Sequence, residues 1–311
     1  MIDTHHQFWN QWSRAYQGFS ETIEPYRAAQ RSLAQAAVAA LGENLKQEKL
    51  SILDVGGGAG NLIRPLLETL AAHRGNLKGI TYTLTDGAKD MIELANGRIE
   101  GLKKSFGEVE FRILHADTLA DDFKENLEQG LADLIISSWN IEYYPTEKRC
   151  EILKRLIHLA HPQGVVAFSS TVRLPGSLTV RDMLMPLGQA QVLQALVTGG
   201  PREMKRVITS LKQIAEFGVA FNNQQFPPKP TLADLKELAK QIGLEPVLVA
   251  YHLFGASVMV VGRKDRSTLP ALPKTPIAQV LAGKTGYEDN PETISFWSYF
   301  RFLLRNRPEL E

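Results

Sequence analysis

The sequence predicts an α/β fold in which helices cover both faces of a mostly parallel sheet. The first observation is that residues 50–171 alternate short β-branched runs with amphipathic helical stretches. The second is that this alternation resumes over 231–263, after a stretch without clear strands. Strands that alternate with helices pair in parallel through right-handed crossovers, and these connections place helices on both sides of the sheet.

The elements of this domain follow from the hydrophobic pattern. Strands are expected at 50–55, 80–85, 109–115, 132–137 and 165–170, and two more within 246–262. Helices are expected at about 61–72, 90–104 and 146–160, where apolar residues recur at helical spacing. Thr231 is a suitable N-cap for a further helix that ends at Gly243.

Composition excludes several classes of protein. The 311 residues include 35 Lys+Arg and 34 Asp+Glu, which gives a net charge of +1 and no global field to hold a nucleic acid. The single cysteine, Cys150, cannot form an internal disulfide and supplies no metal-binding cluster, so no metal is expected. No secretory signal is visible at the N-terminus. These features favour a cytoplasmic protein.

Four segments are expected. Residues 1–45 form an N-terminal helical cover, and residues 46–171 with 231–263 form the α/β domain. Residues 172–230 form a helical insertion after the fifth strand, a candidate lid. Residues 264–311 form a C-terminal extension with an aromatic helix at about 291–305, which could pack on its own domain, form a homodimer contact or lie on a membrane surface.

A glycine-rich turn after the first strand carries the strongest functional signal. Asp54 is followed by Gly56, Gly58 and Gly60, and glycines remove every Cβ between the backbone and a ligand at the carboxyl edge of the sheet. The dinucleotide fingerprint requires Gly or Ala where Asn61 stands. A carboxylate at Asp54 would also repel a phosphate. The turn therefore favours a cationic or hydroxyl-bearing ligand.

This turn resembles the first motif of the class I S-adenosylmethionine-dependent methyltransferases, an acidic residue followed by G-x-G-x-G. The resemblance continues at Asp86, where the family's acidic residue holds the ribose hydroxyls, and at Asp117, where the family's residue meets the adenine amino group. It implies S-adenosylmethionine as cofactor and a Rossmann-like seven-stranded sheet with its last strand antiparallel. Asn140, beside the transferable methyl, and Tyr16 complete the expected cofactor-binding residues.

The resemblance has two departures. Gly87 and Ala88 stand where the family often has a helix-capping serine, so we expect the second helix of the domain to be less well capped. Gln163 replaces a glycine before the fifth strand.

A hydroxyl acceptor usually needs a base, and the candidate catalytic residues are His115, Glu142 and Tyr143. Histidine suits this role because its pKa lies near neutrality. His5 and His6 join the candidates if the N-terminal helix folds over the site, and Tyr144 is expected to line it.

Two apolar covers predict an enclosed, hydrophobic small-molecule substrate. One is the insertion, and the other is an aromatic stripe on the N-terminal helix, formed by Phe8, Trp9, Trp12 and Tyr16. We therefore expect methyl transfer to such a molecule, with oxygen as the acceptor atom. The alternatives are a cyclisation or decarboxylation with the same cofactor, a non-catalytic binding or assembly protein, and a nicotinamide oxidoreductase, which Asn61 disfavours.

Overall fold

The computed structural model describes residues 2–22, 24–123, 127, 131–172, 226–252 and 257–264, together with single positions between 205 and 220. The described strands are β1 Leu50–Val55, β2 Ile80–Asp86, β3 Glu110–His115, β4 Ala132–Ser138, β5 Ala160–Thr171, β6 Glu245–His252 and β7 Ser257–Arg263. The described helices are α1 Ile2–Thr22, α2 Glu24–Leu41, α3 Ile63–Arg74, α4 Lys89–Lys103, α5 Thr146–Leu159 and α6 Leu232–Gln241. Short 3-10 helices lie at Gly42–Lys46 and Ile141–Tyr143.

The seven strands form one sheet in the order β3-β2-β1-β4-β5-β7-β6. Strands β1 to β5 pair in parallel, whereas β7 is antiparallel to both of its neighbours. The predicted fold class, a mostly parallel seven-stranded sheet with an antiparallel last strand, is confirmed. The strand order reverses between β1 and β4, and ligands of open α/β sheets bind in the crevice at such a reversal.

The sheet is buried on both faces by helices. Successive residues of a strand point to opposite faces, and in β1 Ile52 joins a core cluster with Leu33 and Leu66 of α2 and α3. Its neighbour Leu53 joins a second cluster with Leu153 of α5. The crevice at the carboxyl edge is thus supported by a rigid core on either side of β1.

Two boundaries differ from the predicted ones. Helix α3 begins at Ile63 rather than at about 61, because the glycine turn continues through Asn61. Strand β5 begins at Ala160, five residues before the predicted start at 165, because Ala160 pairs with Ala132 across a register shift that ends at Leu134.

The aromatic helix expected at 291–305 lies outside the described residues, as does most of the insertion expected at 172–230. Within the part of the chain that the structure describes, no helix has the length and apolar character needed to cross a membrane. In the same part of the chain, no group of three or more His, Cys, Asp or Glu side chains is arranged to hold a metal ion.

Candidate active site

A cavity opens at the carboxyl edge of the sheet, where β1 and β4 diverge. Its empty space amounts to about 700 Å³, a volume that includes space open to solvent. Seven of the eight predicted cofactor-binding residues line it: Tyr16, Asp54, Gly56, Gly58, Asp86, Asp117 and Asn140. The eighth, Gly60, lies outside the wall and packs against Ile63, whose Cδ1 would be 2.7 Å from a Cβ at position 60.

The glycine turn depends on its missing side chains. Gly56 and Gly58 have φ angles of 65° and 55°, in the left-handed region that favours glycine. A Cβ on Gly56 would lie 2.2 Å from Asn140 Nδ2. The end of β1 and the loop after β4 can therefore approach each other this closely only with glycine at position 56.

Asp86 ties the glycine turn to the end of β2. Its Oδ2 accepts the backbone N–H of Gly58 at 2.9 Å, and its Oδ1 accepts that of Ala88 at 2.8 Å. Burial raises the pKa of Asp86, and the two backbone hydrogen bonds oppose that shift. Asp117 is anchored in a similar way, since its Oδ1 accepts the N–H of Leu119 at 2.9 Å. A carboxylate oxygen has two lone pairs, so both residues keep capacity to accept from ligand hydroxyl or amino groups.

Besides His5 Nδ1, three buried polar atoms of the wall have no hydrogen-bond partner within the described part of the chain: Asp54 Oδ1, Gln30 Oε1 and Asn140 Nδ2. Asp54 is fully buried, and its other oxygen accepts the hydroxyl of Tyr82 at 2.7 Å. Burial raises the pKa of Asp54 to about 7, the Tyr82 hydrogen bond opposes this, and the charge of Asp86 adds to it. Buried polar groups are normally paired, so these two acceptors and one donor fit a polar ligand.

These residues fit S-adenosylmethionine. Its amino-acid end carries an ammonium group and a carboxylate, which suit the two unpaired acceptors and the Asn140 amide N–H. Its ribose diol and adenine amino group suit the remaining acceptor capacity of Asp86 and Asp117.

Helix α1 closes the other side of the cavity with aromatic rings. Trp9 packs against Tyr143 with ring centroids 5.1 Å apart, and Phe8 against Phe226 at 5.3 Å. Tyr143 and Phe226 are themselves 5.0 Å apart. Phe217 also contacts this cluster. Trp9 and Tyr143 of this cluster line the cavity, and the phenylalanines pack around them outside the lining.

Helix α1 also packs against the start of α4 and the loop before it. The predicted weak cap of α4 is confirmed, because Ala88 at its N-cap makes no side-chain hydrogen bond. Asn10 of α1 supplies the missing acceptor, since its Oδ1 accepts the N–H of Asp90 at 3.0 Å. The ring of His6 covers Gly87, where an added Cβ would lie 2.2 Å from His6 Nε2.

The three catalytic candidates are placed differently, and of them Tyr143 alone lines the cavity. His115 is exposed, and its Nε2 lies 3.0 Å from the carbonyl oxygen of Gly87. Glu142 is buried behind the wall, where its Oε1 accepts both the N–H and the hydroxyl of Thr171. Burial raises the pKa of Glu142, and the charge of Lys229 opposes that shift. Burial followed by the charge of Glu142 raises the pKa of Tyr143 well above its ordinary value.

Several residues of the cavity wall are not predictable from the sequence pattern. Tyr26 and Gln30 of α2 line the cavity, as does Trp139, whose ring lies 4.3 Å from that of Tyr26. Trp139 has a φ of 49°, rare for a residue with a side chain. The spacing of Tyr26 and Gln30 indicates one helix face, but no local signal places that face over the sheet edge. Asn61, which stands where the dinucleotide fingerprint requires Gly or Ala, also lines the cavity. Its side-chain oxygen accepts the Ser20 hydroxyl at 3.1 Å.

Comparisons with known proteins agree with this geometry. Residues 53–166 match the family model of a methyltransferase domain. Magnesium protoporphyrin IX methyltransferase from Synechocystis PCC 6803, solved with bound S-adenosylhomocysteine, has a TM-score of 0.52 and 16% identity, covering 85% of this chain and 100% of that one. Its structure with S-adenosylmethionine gives a TM-score of 0.50 and 14% identity, covering 85% and 96%.

A curated relative is larger. The non-reducing polyketide synthase trt4 of Aspergillus terreus is 28% identical over 151 residues, which is 48% of this chain. The match spans only 6% of the length of the synthase.

Residues 53–166 therefore belong to a class I S-adenosylmethionine-dependent methyltransferase domain, an enzyme domain. The matched segment contains Asp54, the glycine turn, Asp86 and Asp117. The predicted cofactor, S-adenosylmethionine, is confirmed by this match, together with a fold that has been solved with that cofactor bound.

Proposed function

We propose that this chain transfers the methyl group of S-adenosylmethionine to an oxygen atom of a hydrophobic small molecule. The observation that carries the proposal is the division of one cavity into two walls. The wall at the strand ends presents Asp54, Asp86 and Asp117, whereas the wall formed by α1 and Tyr143 presents aromatic rings. The first wall suits the polar cofactor, and the second suits an apolar acceptor.

The bound cofactor supplies an electrophilic methyl group, so the residues of this chain have to align the acceptor and exclude water. Trp9 and Tyr143, which line the cavity, can do both. The ring contacts of Trp9 with Phe8 and of Phe8 with Phe226 support them from outside the lining.

Tyr143 would act as a hydrogen-bond donor rather than as a base. Because burial and Glu142 raise its pKa, its phenol stays protonated at neutral pH. The proposal therefore favours acceptors whose own hydroxyl is already acidic, such as phenols. One curated relative is named as a polyketide synthase, so aromatic polyketides belong in the first substrate panel.

The first experiment is calorimetric titration with S-adenosylmethionine, S-adenosylhomocysteine and NAD. We expect binding of the first two and none of NAD. The variant Asp86→Ala should abolish cofactor binding because it removes the carboxylate that holds the glycine turn. Asp122→Ala, which changes an exposed carboxylate outside the cavity, is the matched control and should bind normally. Unchanged affinity in Asp86→Ala would contradict the proposed site.

The second experiment is a panel of phenols incubated with enzyme and S-adenosylmethionine, analysed by product mass. A product heavier by one methyl group, found on oxygen by NMR, supports the proposal. A product without the added methyl group would favour cyclisation or decarboxylation instead. Cofactor binding without turnover of any compound would favour the binding-protein alternative.

A further inference from the structure

The imidazole of His5 on α1 lies in the cavity wall in a defined tautomeric state. The indole N–H of Trp9 donates to His5 Nε2 at 2.8 Å. An indole N–H can only donate, so His5 Nε2 has to be the nitrogen without a proton. A neutral imidazole carries one proton, which therefore lies on Nδ1.

The surroundings of His5 keep it neutral. Burial, assisted by the charge of His6, lowers the pKa of His5 to about 3. Its ring lies 5.2 Å from that of Tyr144, 5.7 Å from that of Tyr143 and 6.2 Å from that of Phe226, measured between centroids. His5 thus presents a single N–H donor within an aromatic surface.

That donor has no hydrogen-bond acceptor among the residues that the structure describes. His5 Nδ1 is buried and makes no hydrogen bond to the described part of the chain. A buried N–H without an acceptor is unfavourable, and the cavity that His5 lines is the place from which an acceptor can come.

We propose that His5 determines substrate specificity, with its Nδ1–H donating a hydrogen bond to a carbonyl or phenolic oxygen of a flat, largely apolar molecule. His5 is then not the general base, because the lone pair that a base requires, at Nε2, already accepts from Trp9. This inference rests on the proposed function and refines it, since it requires an oxygen acceptor on the apolar substrate.

The tautomer is tested by NMR on protein with ¹⁵N-labelled histidine, saturated with S-adenosylhomocysteine at neutral pH. The His5 signals are assigned by their loss in the variant His5→Gln. We expect a neutral ring protonated at Nδ1. A ring protonated at Nε2, or at both nitrogens, would overturn the inference.

Specificity is tested with 2-acetylnaphthalene and 2-ethylnaphthalene, which differ in one carbonyl oxygen. In the presence of S-adenosylhomocysteine, the wild-type protein should bind 2-acetylnaphthalene at least about tenfold more tightly than 2-ethylnaphthalene. This ratio corresponds to about 1.4 kcal/mol of binding free energy. His5→Phe keeps a ring but removes the donor, and it should bind both compounds equally. His5→Gln should restore the preference, because an amide can accept from Trp9 and still donate an N–H.

Calorimetry with S-adenosylhomocysteine on each variant separates this inference from the proposed function. With S-adenosylhomocysteine bound, the wild type could show no preference for the ketone, or His5→Phe could keep that preference. Either result would refute the role of His5 and leave the methyltransferase proposal standing. If the wild type binds neither naphthalene, the apolar-substrate proposal is contradicted, and the NMR result then decides the state of His5 on its own.

Discussion

Asn10 caps a helix to which it does not belong. Its side-chain oxygen accepts the backbone N–H of Asp90 in the first turn of α4, 80 residues further along the chain. A side-chain acceptor at this position normally comes from the N-cap residue itself, which here is Ala88. The contact links the cover helix to the element that follows the Asp86 loop.

Removing this cap should destabilise the protein. We expect Asn10→Ala to lower the free energy of unfolding by about 1 kcal/mol, the usual effect of losing an N-cap acceptor. Urea denaturation measures it. Asn10→Asp keeps an acceptor oxygen near the helix N-terminus and should retain most of the stability. Equal losses in the two variants would show that the hydrogen bond to Asp90 is not the cause.

Gly56→Ala should impair both stability and cofactor binding. The added Cβ would meet Asn140 Nδ2 at 2.2 Å, on a backbone whose φ of 65° already disfavours alanine by about 1 kcal/mol. Calorimetry should show a loss of S-adenosylmethionine affinity of at least about tenfold, or 1.4 kcal/mol.

The matched control for Gly56→Ala is Gly101→Ala. Gly101 lies in α4, and a Cβ there meets nothing within 4 Å. Alanine at this position should stabilise the helix by about 0.5–1 kcal/mol and leave cofactor affinity unchanged. Normal cofactor affinity in Gly56→Ala would contradict the close approach of the glycine turn to the ligand.

Asp54 should make stability fall as pH rises. Its pKa is raised from 3.8 to about 7 in the folded protein, so the folded state binds this proton more tightly than the unfolded state. The contribution of the Asp54 proton to the free energy of unfolding is complete below about pH 4 and is lost as pH rises through 7. The free energy of unfolding of wild type relative to Asp54→Asn should therefore decrease over this interval by an amount on the order of 4 kcal/mol.

Urea denaturation of wild type and Asp54→Asn at several pH values measures this difference. Asp122→Asn, at an exposed position, should follow the wild-type curve. A constant offset between wild type and Asp54→Asn at every pH would show that the buried carboxyl does not titrate as proposed.

Ser257 joins the antiparallel strand β7 to the cavity. Its Oγ accepts the indole N–H of Trp139 at 2.7 Å and donates to the carbonyl of Ser170 at 2.8 Å. Ser257→Ala removes this acceptor from the buried indole N–H and should lower the free energy of unfolding by about 1–3 kcal/mol. Ser105→Ala, at an exposed position, should stay within about 0.5 kcal/mol of wild type. If Ser257→Ala also stayed within about 0.5 kcal/mol of wild type, the hydrogen bond between Trp139 and Ser257 would not stabilise the fold as proposed.

The site residues that could be predicted are those whose position follows from the sequence pattern immediately around them. The glycine turn follows β1, Asp86 ends β2, and Asp117 lies two residues after β3. The order of strands in α/β folds brings such ends to one edge of the sheet. His115 also ends a strand, but β3 is the edge strand and lies two strands away from the crevice beside β1. Its side chain is exposed there, whereas Asp117 reaches the cavity two residues later.

The remaining wall residues depend on contacts between distant parts of the chain. The 3-10 helix Ile141–Tyr143 turns Tyr143 to the cavity and Glu142 away from it, a choice that neighbouring residues in the sequence do not reveal. Tyr26 and Gln30 line the wall only because α2 crosses the sheet edge, where Gln30 donates to Ser138 at 3.2 Å. Packing between α2 and β4, rather than the pattern of either segment, sets this geometry.

The two walls of the cavity are formed by different elements of the fold. Cofactor binding and the choice of acceptor can therefore be changed separately. The carboxylates that face the cofactor are held by strand ends and backbone N–H groups of the sheet. The aromatic surface opposite comes partly from α1, with His5, Trp9 and Tyr16 on a single face, and partly from Tyr143 and Tyr144. Substitutions at His5 and Trp9 could thus change which acceptor is taken, while the carboxylates that face the cofactor stay in place.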